Sequence, residues 1–206
     1  DLGRSIQGNE LVTSMIWQRL PLTIFLGLYG SLIALGIGIP LGVIAALKQN
    51  TPVDYAAMAV VNAGYALPNF LIATLLIYFF AVKWRDQTPF PTNGWAGWES
   101  WVLPVIAPMT VLARIVRGSM LETLQQDYIR TAKAKGLRWR RVVGLHVLRN
   151  SLIPAVTAAG PLLGYLITGA FIVETIFGIP GIGRYFITSV TGRDYSVALG
   201  ITVLLS

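Results

Sequence analysis

Three long stretches of the chain carry no charged residue. Leu20–Leu47 lies between Arg19 and Lys48, Tyr55–Val82 between Asp54 and Lys83, and Asn150–Val173 between Arg149 and Glu174. About 20 apolar residues at about 1.5 Å rise cross a hydrocarbon core, and each stretch is longer than that. The pattern predicts three membrane-spanning helices. Two more elements are incomplete. Ser100–Ala113 is too short to cross alone and must continue through Arg114 and Arg117 towards Leu124, while Tyr195–Ser206 reads as the first half of a last helix. Arg114 and Arg117, three residues apart, share a helical face; they point into a bundle or snorkel to headgroups.

The spans are punctuated. Pro40, Pro68, Pro154 and Pro161 lie inside them, with Gly36, Gly38, Gly42, Gly160 and Gly164. Small residues let membrane helices approach closely, and neighbours re-satisfy backbone groups that proline frees. Kinked packing is one reading; a bundle that bends to open a path is the other.

Composition sharpens this picture. Of 206 residues, 54% are hydrophobic and 12% charged, with a mean hydropathy of +0.64. A soluble domain carries about 25% charge, so most of this surface does not face water. The absence of cysteine excludes disulfides and thiolate chemistry, and a single histidine, His146, excludes a multi-histidine metal site. The opening DLGRSIQGNE lacks an initiator Met and the chain stops inside an apolar run, which predicts a piece of a longer protein.

Charge placement gives an orientation. Arg114–Arg149 holds nine of the sixteen Lys and Arg residues, and the positive-inside rule assigns it to the cytoplasm. Counting helices outward makes Gln49–Asp54 cytoplasmic. The segments at about 1–18, 83–100 and 174–194 are then extracytoplasmic, the second carrying Trp84, Trp95 and Trp98 as an interface belt. The whole of 1–206 reads as a single transmembrane domain.

Within the basic segment, DYIRTAKAKGLRWRRVV (Asp127–Val143) is the densest cluster. Asp127 suits an N-cap, Tyr128–Lys135 a short helix and Gly136 the residue after it; Leu137–Arg141 starts a second helix. Ala132, Ala134 and Gly136 make a small-residue spine flanked by Lys and Arg. Anionic headgroups are one partner for such charge. Nucleic acid fits poorly, since no aromatic platform or known module accompanies it. The third option is a docking helix for a cytoplasmic protein, with Ile129 and Leu137 seated in the partner's groove.

DYIRTAKAKGL followed by HVLRNSLIP resembles the cytoplasmic loop of binding-protein-dependent ABC transporter permeases, the coupling helix that sits in a cleft of the ATPase subunit. The general pattern, Glu-Ala-Ala, three residues, Gly, nine residues, Ile-x-Leu-Pro, is matched at Ala132 and Gly136. Arg130, Thr131, His146 and Arg149 depart from it in the manner of the dipeptide/oligopeptide/nickel branch. FIVETIFGIPGIGR (Phe171–Arg184) and RDYSVALG (Arg193–Gly200) look like further landmarks of that branch, and DLGRS resembles its B-type rather than its C-type subunit. The resemblance covers essentially the whole chain. It implies an all-α, polytopic bundle of the type I importer kind, six helices in all, with one before Asp1 and the last completed after Ser206. The interval from Leu103–Pro104 to Arg114 and Arg117 is short for the family: either this helix is atypical, or residues near Ala107–Pro108 are absent from the sequence. ATPase coupling would fall to Tyr128, Arg130, Thr131, Ala132, Lys133, Ala134, Gly136 and Leu137 in a loop at about 126–142. The implied partners are a C-type permease, two cytoplasmic ATPase subunits or domains, an extracytoplasmic substrate-binding protein and membrane lipids. The implied location is a bacterial or archaeal cytoplasmic membrane, crossed several times. Peptides lead as cargo, with nickel chelates and glutathione as alternatives.

No phosphate-binding Gly-x-x-x-x-Gly-Lys-Ser/Thr loop and no Gly-x-Ser-x-Gly elbow occurs. The chain is therefore expected to be no enzyme and to bind no cofactor or metal, with ATP and Mg on partner subunits. His146 reads as structural. Glu174 either pairs with Arg184 in an outer turn or faces the path or binding protein. Asn62, Tyr65, Asn69, Thr74 and Tyr165 are the polar groups able to line a pathway, or to bond between helices. An ion-coupled secondary transporter would call for ionisable groups near mid-membrane, and the three long spans are uncharged.

Overall fold

The computed structural model describes residues 2–87, 106–168 and 171–206, without the side chains at 69, 107, 162, 163 and 165–168. The tryptophan loop beyond residue 87, with Trp95 and Trp98, lies outside the described residues, as does the start of the Ser100–Leu124 element. The architecture is all-α: among the described residues the only β pairing is an isolated Arg4–Leu11 bridge.

Helix α1 spans Val12–Leu47. It starts ahead of the expected Leu20, taking in Arg19 and residues assigned to the outer segment 1–18. At about 1.5 Å per residue it is about 54 Å long, more than a hydrocarbon core requires. Next come α2 (Pro52–Ala66) and α3 (Asn69–Leu76), the latter continuing as a wide π turn through Ile77–Lys83. The single helix expected over Tyr55–Val82 is thus broken. Proline has no N–H to donate and pushes its predecessor out of the helical region, and Leu67 ahead of Pro68 is extended at φ −87°, ψ 141°. Helix α4 (Ile106–Leu124) runs unbroken through Ala107 and Pro108. The others are α5 (Asp127–Ala134), α6 (Trp139–Arg141), α7 (Leu148–Thr168), α8 (Phe171–Ile176), α9 (Ile182–Thr191) and α10 (Tyr195–Leu205). A π turn, Val142–Val147, joins α6 to α7. Among the described residues, Val12–Leu47 and Trp139–Pro161 are long and apolar enough to cross a membrane.

The chain forms two compact units. Ser31–Leu67 with Ile106–Leu162 makes one, built around α4. Positions advance together along α1 and α4: a Cβ on Gly38 would meet Leu112 Cβ at 3.2 Å, and one on Gly42 would meet Ala113 O at 2.5 Å and Val116 Cβ at 2.8 Å. The Gly-x-x-x-Gly pair is therefore what lets these parallel helices touch backbone to backbone. Helix α2 runs antiparallel to α4, with Gly64 against Thr110 at one end and Asp54 against Arg117 at the other. The core below holds Val116, Met120, Ile129, Val142, Val147 and Ala155.

Asp1–Gly30, Pro68–Val105 and Leu163–Ser206 make the second unit. Its core packs Val12 and Ile16 of α1 against Ile182, Val197 and Ile201. Trp17, Leu32, Val156, Leu199 and Val203 are large, apolar and outward-facing, the surface expected of a chain solvated by lipid or by partner chains.

Candidate coupling site

Helix α5 divides its residues by face. Ile129 is fully buried and Ala132 nearly so, both in the core with Val142 and Val147, and Leu137 packs against the same cluster. Ile129 therefore does not seat in a partner's groove: it anchors α5 to its own bundle. The spacing i, i+3 sets this apolar face, and the charged residues take the other. Tyr128, Arg130, Thr131, Lys133, Ala134 and Lys135 are exposed.

The ends of α5 are set by local chemistry. Gln126, not Asp127, is the N-cap, and no side chain caps it. Asp127 occupies the first helical position, where a carboxylate still favours the dipole, and pairs loosely with Arg130 at 3.5 Å, both solvent-exposed. Thr131 Oγ1 donates to the Asp127 carbonyl at 3.0 Å. At the far end Gly136 adopts φ +76°, and Leu137 N–H returns to Ala132 O at 3.3 Å. This left-handed turn stops α5 and releases the chain towards α6, for which Arg138 is the N-cap, one residue past the expected Leu137. Lys133 Nζ lies over the Trp139 ring at 4.7 Å, spanning the turn. Asn150 Nδ2 donates to both Tyr128 Oη and the His146 carbonyl at 3.0 Å. That fork stitches the two halves of the sequence motif together.

The mount of this site contains an ion pair that sequence reading missed. Arg117 Nε and Nη2 donate to the two oxygens of Asp54, each at 2.7 Å, and Asp54 is only 1% exposed. The pair is bidentate, the geometry in which guanidinium and carboxylate bind most tightly. Asn50 N–H adds a third bond at 3.1 Å. One of the two arginines that share a face is thus consumed. The other, Arg114, is exposed and lies over the Tyr65 ring at 4.1 Å.

The candidate pathway residues divide unevenly. Asn62 and Tyr65 are exposed on α2; the Asn69 and Tyr165 side chains lie outside the described residues; Thr74 Oγ1 donates to its own helix, at Phe70 O. Glu174 is fully buried. The Thr23 hydroxyl donates to its Oε1 at 2.7 Å and the Arg184 backbone N–H to its Oε2 at 3.0 Å. Arg184 meets Glu174 through that amide and not as an ion pair, since the guanidinium turns to the Gly178 carbonyl at 2.8 Å. The reason is local: α9 begins at Ile182, and first-turn amides need acceptors. The Ile182 N–H goes to Thr23 Oγ1 at 2.9 Å.

Asp194 forms a second buried acidic node. It caps α10, accepting from Val197 N–H, and receives the Ser5 hydroxyl and the Ile6 N–H. Burial pushes its carboxyl up, but the donors Ser5, Ile6, Val197 and Gln7 outweigh that and hold it below the ordinary 3.8. A folded value under the unfolded one means stability that is present above pH 3.8 and lost as pH falls through the folded value. Asp194→Asn should therefore melt lower than the unsubstituted chain at neutral pH. The gap between the two melting curves, followed by tryptophan fluorescence in detergent, should close on acidification; a gap that does not change with pH would refute the assignment.

Among the described residues no cluster of His, Cys, Asp or Glu could hold a metal ion. What the site offers instead is a rigidly mounted helix with a polar outer face.

Comparison with known proteins gives the family and the fold. Residues 38–206 match the family model of the binding-protein-dependent transport system inner membrane component. The dipeptide transport system permease protein DppB of Bacillus subtilis is 45% identical over 211 residues, covering 100% of this chain and 68% of the relative. The oligopeptide transport system permease protein OppB of Salmonella typhimurium is 39% identical over 214 residues, with the same coverage. Among solved structures, an inward-facing form of the MetNI methionine ABC transporter superposes with a TM-score of 0.76 at 20% identity, covering 93% of this chain and 88% of that one. An amino acid ABC transporter crystallised with histidines gives 0.70 at 18%, covering 94% and 86%. At such identities these two speak for the fold alone. The family match and the permease relatives do more: the chain belongs to the binding-protein-dependent inner-membrane transport components and is a membrane-bound permease subunit of an ABC importer.

Proposed function

We propose that this chain is the B-type half of a translocation path for peptides, and that α5 with its turn through Leu137 is where a cytoplasmic ATPase subunit docks. The observation that carries the docking assignment is the division of α5. Ile129 and Ala132 fix it to the permease core, while Tyr128, Thr131, Lys133, Ala134 and Lys135 form an unobstructed outer face ended by a left-handed glycine. A push on that face moves α5 as a body, and through Ile129 it reaches α4 and α7. Peptide cargo is supported by the dipeptide and oligopeptide systems named for the relatives. A C-type permease completes the pore, a soluble binding protein delivers cargo outside, and two ATPase subunits hold ATP and Mg inside a bacterial cytoplasmic membrane.

Proteoliposomes holding the full transporter should accumulate a labelled peptide only with binding protein outside and ATP within. Uptake of nickel chelates or glutathione in place of peptides would redirect the cargo assignment. Orientation is read separately in this cysteine-free chain. A cysteine at Thr191 should react with an impermeant thiol reagent from outside and one at Gln125 should not; reversed labelling would overturn the docking model.

A further inference from the structure

Helix α2 exposes two flanks of opposite chemistry. Taking 100° per residue, Tyr55, Asn62 and Tyr65 fall on one side of the buried stripe Asp54–Val61, together with half-buried Met58. Val53, Ala56, Val60 and Ala63 fall on the other, exposed and wholly apolar. A helix set in lipid on both flanks has no reason to segregate its polar residues. The apolar flank suits acyl chains; the other suits water or a polar ligand.

Arg114 joins the polar flank. Its guanidinium rests over the Tyr65 ring, and Tyr65 is 58% exposed. Among the described residues Arg114 has no carboxylate: Asp54, the acid on the facing helix, is held at both oxygens by Arg117. An arginine in a membrane helix is costly unless it meets an anion or water. An arginine held over an aromatic ring keeps N–H donors available for a carboxylate. Lying one turn from Arg117 towards the N-terminus of α4, it is about 15 Å along the helix from Leu124, deep for a side chain that only snorkels to headgroups.

We propose that Arg114, held over the Tyr65 ring on the flank of α2 that also carries Asn62, is a carboxylate-binding station in the translocation path that receives the terminal carboxylate of the cargo peptide. The inference rests on the peptide-permease reading above. Two measurements test it in the assembled transporter. First, Arg114→Gln should lower peptide uptake about tenfold, the scale of a lost hydrogen bond to a charged group. Assembly with the partner subunits should stay at the level of the unsubstituted transporter. Second, a peptide with a photoreactive group at its C-terminal residue, trapped during turnover, should crosslink to the α2–α4 segments around Tyr65 and Arg114. Unchanged uptake in Arg114→Gln, a loss that tracks failed assembly, or crosslinks confined elsewhere would each overturn the station. Failure of the unsubstituted transporter to import peptide would instead overturn the peptide reading itself.

Discussion

Arg117→Ala should destabilise the folded chain by about 3–5 kcal/mol, because it strands a buried carboxylate with no cation. Asp54 is 2% exposed at its side chain against 24% for Arg117, so the two halves of the pair are not equivalent. Removing Arg117 leaves Asp54 the Asn50 amide as its hydrogen-bond donor. Removing Asp54 leaves a guanidinium already part-way to solvent on a flexible stem, which can reorient and snorkel. Asp54→Ala should therefore cost clearly less than Arg117→Ala, and Asp54→Leu combined with Arg117→Met should recover most of the loss, since well-packed apolar replacements of buried pairs are often near neutral. Equal losses for the two alanine variants, measured by unfolding in detergent, would refute this asymmetry, and a double-mutant cycle isolates the pair itself. The functional consequence follows from position. The pair ties α2 to α4, and α4 shares its core with α5, so loosening it should also lower coupled uptake beyond what the fraction of folded protein explains.

That ion pair shows where sequence reading stops. Uncharged runs located spans because lipid tolerates no other pattern over 20 residues, and α1 and α7 formed where two of those runs lay. Gly136 was legible as a helix stop because only a residue without Cβ readily takes φ +76°. The break at Pro68 was written in the sequence too, but the uncharged run around it outweighed the proline in the reading. Asp54 could not be found this way. It looked like the polar boundary of a span, and its partner lies 63 residues on, a distance no local period reports. Ser5 and Thr23 escaped for the same reason: each is an ordinary hydroxyl until folding sets it beside Asp194 or Glu174. Ile129 was misdirected although its signal was present, because Ile129 and Ala132 at i, i+3 already define an inward face.

Gly136→Val should uncouple ATP hydrolysis from uptake, or release the ATPase, while leaving the permease itself folded. A Cβ at Gly136 meets nothing within 4 Å in this chain, so the cost to the isolated subunit is the left-handed backbone alone, about 1–2 kcal/mol. A β-branched residue relieves that strain by leaving φ +76°, which redirects the turn between α5 and α6 and tilts the outer face. The docked partner feels both the tilt and the added bulk. Neutralising Lys133 and Lys135 together should do less. Both are exposed, such charges are screened and individually weak, and Lys133 already stacks on Trp139. A basic segment that merely anchored to anionic lipid would rank the variants the other way, with charge loss severe and Gly136→Val mild. Binding-protein-stimulated hydrolysis and peptide uptake, measured on both variants in liposomes, separate the two. Normal coupling in Gly136→Val beside failure of the double-lysine variant would sink the docking assignment and return α5 to the membrane surface.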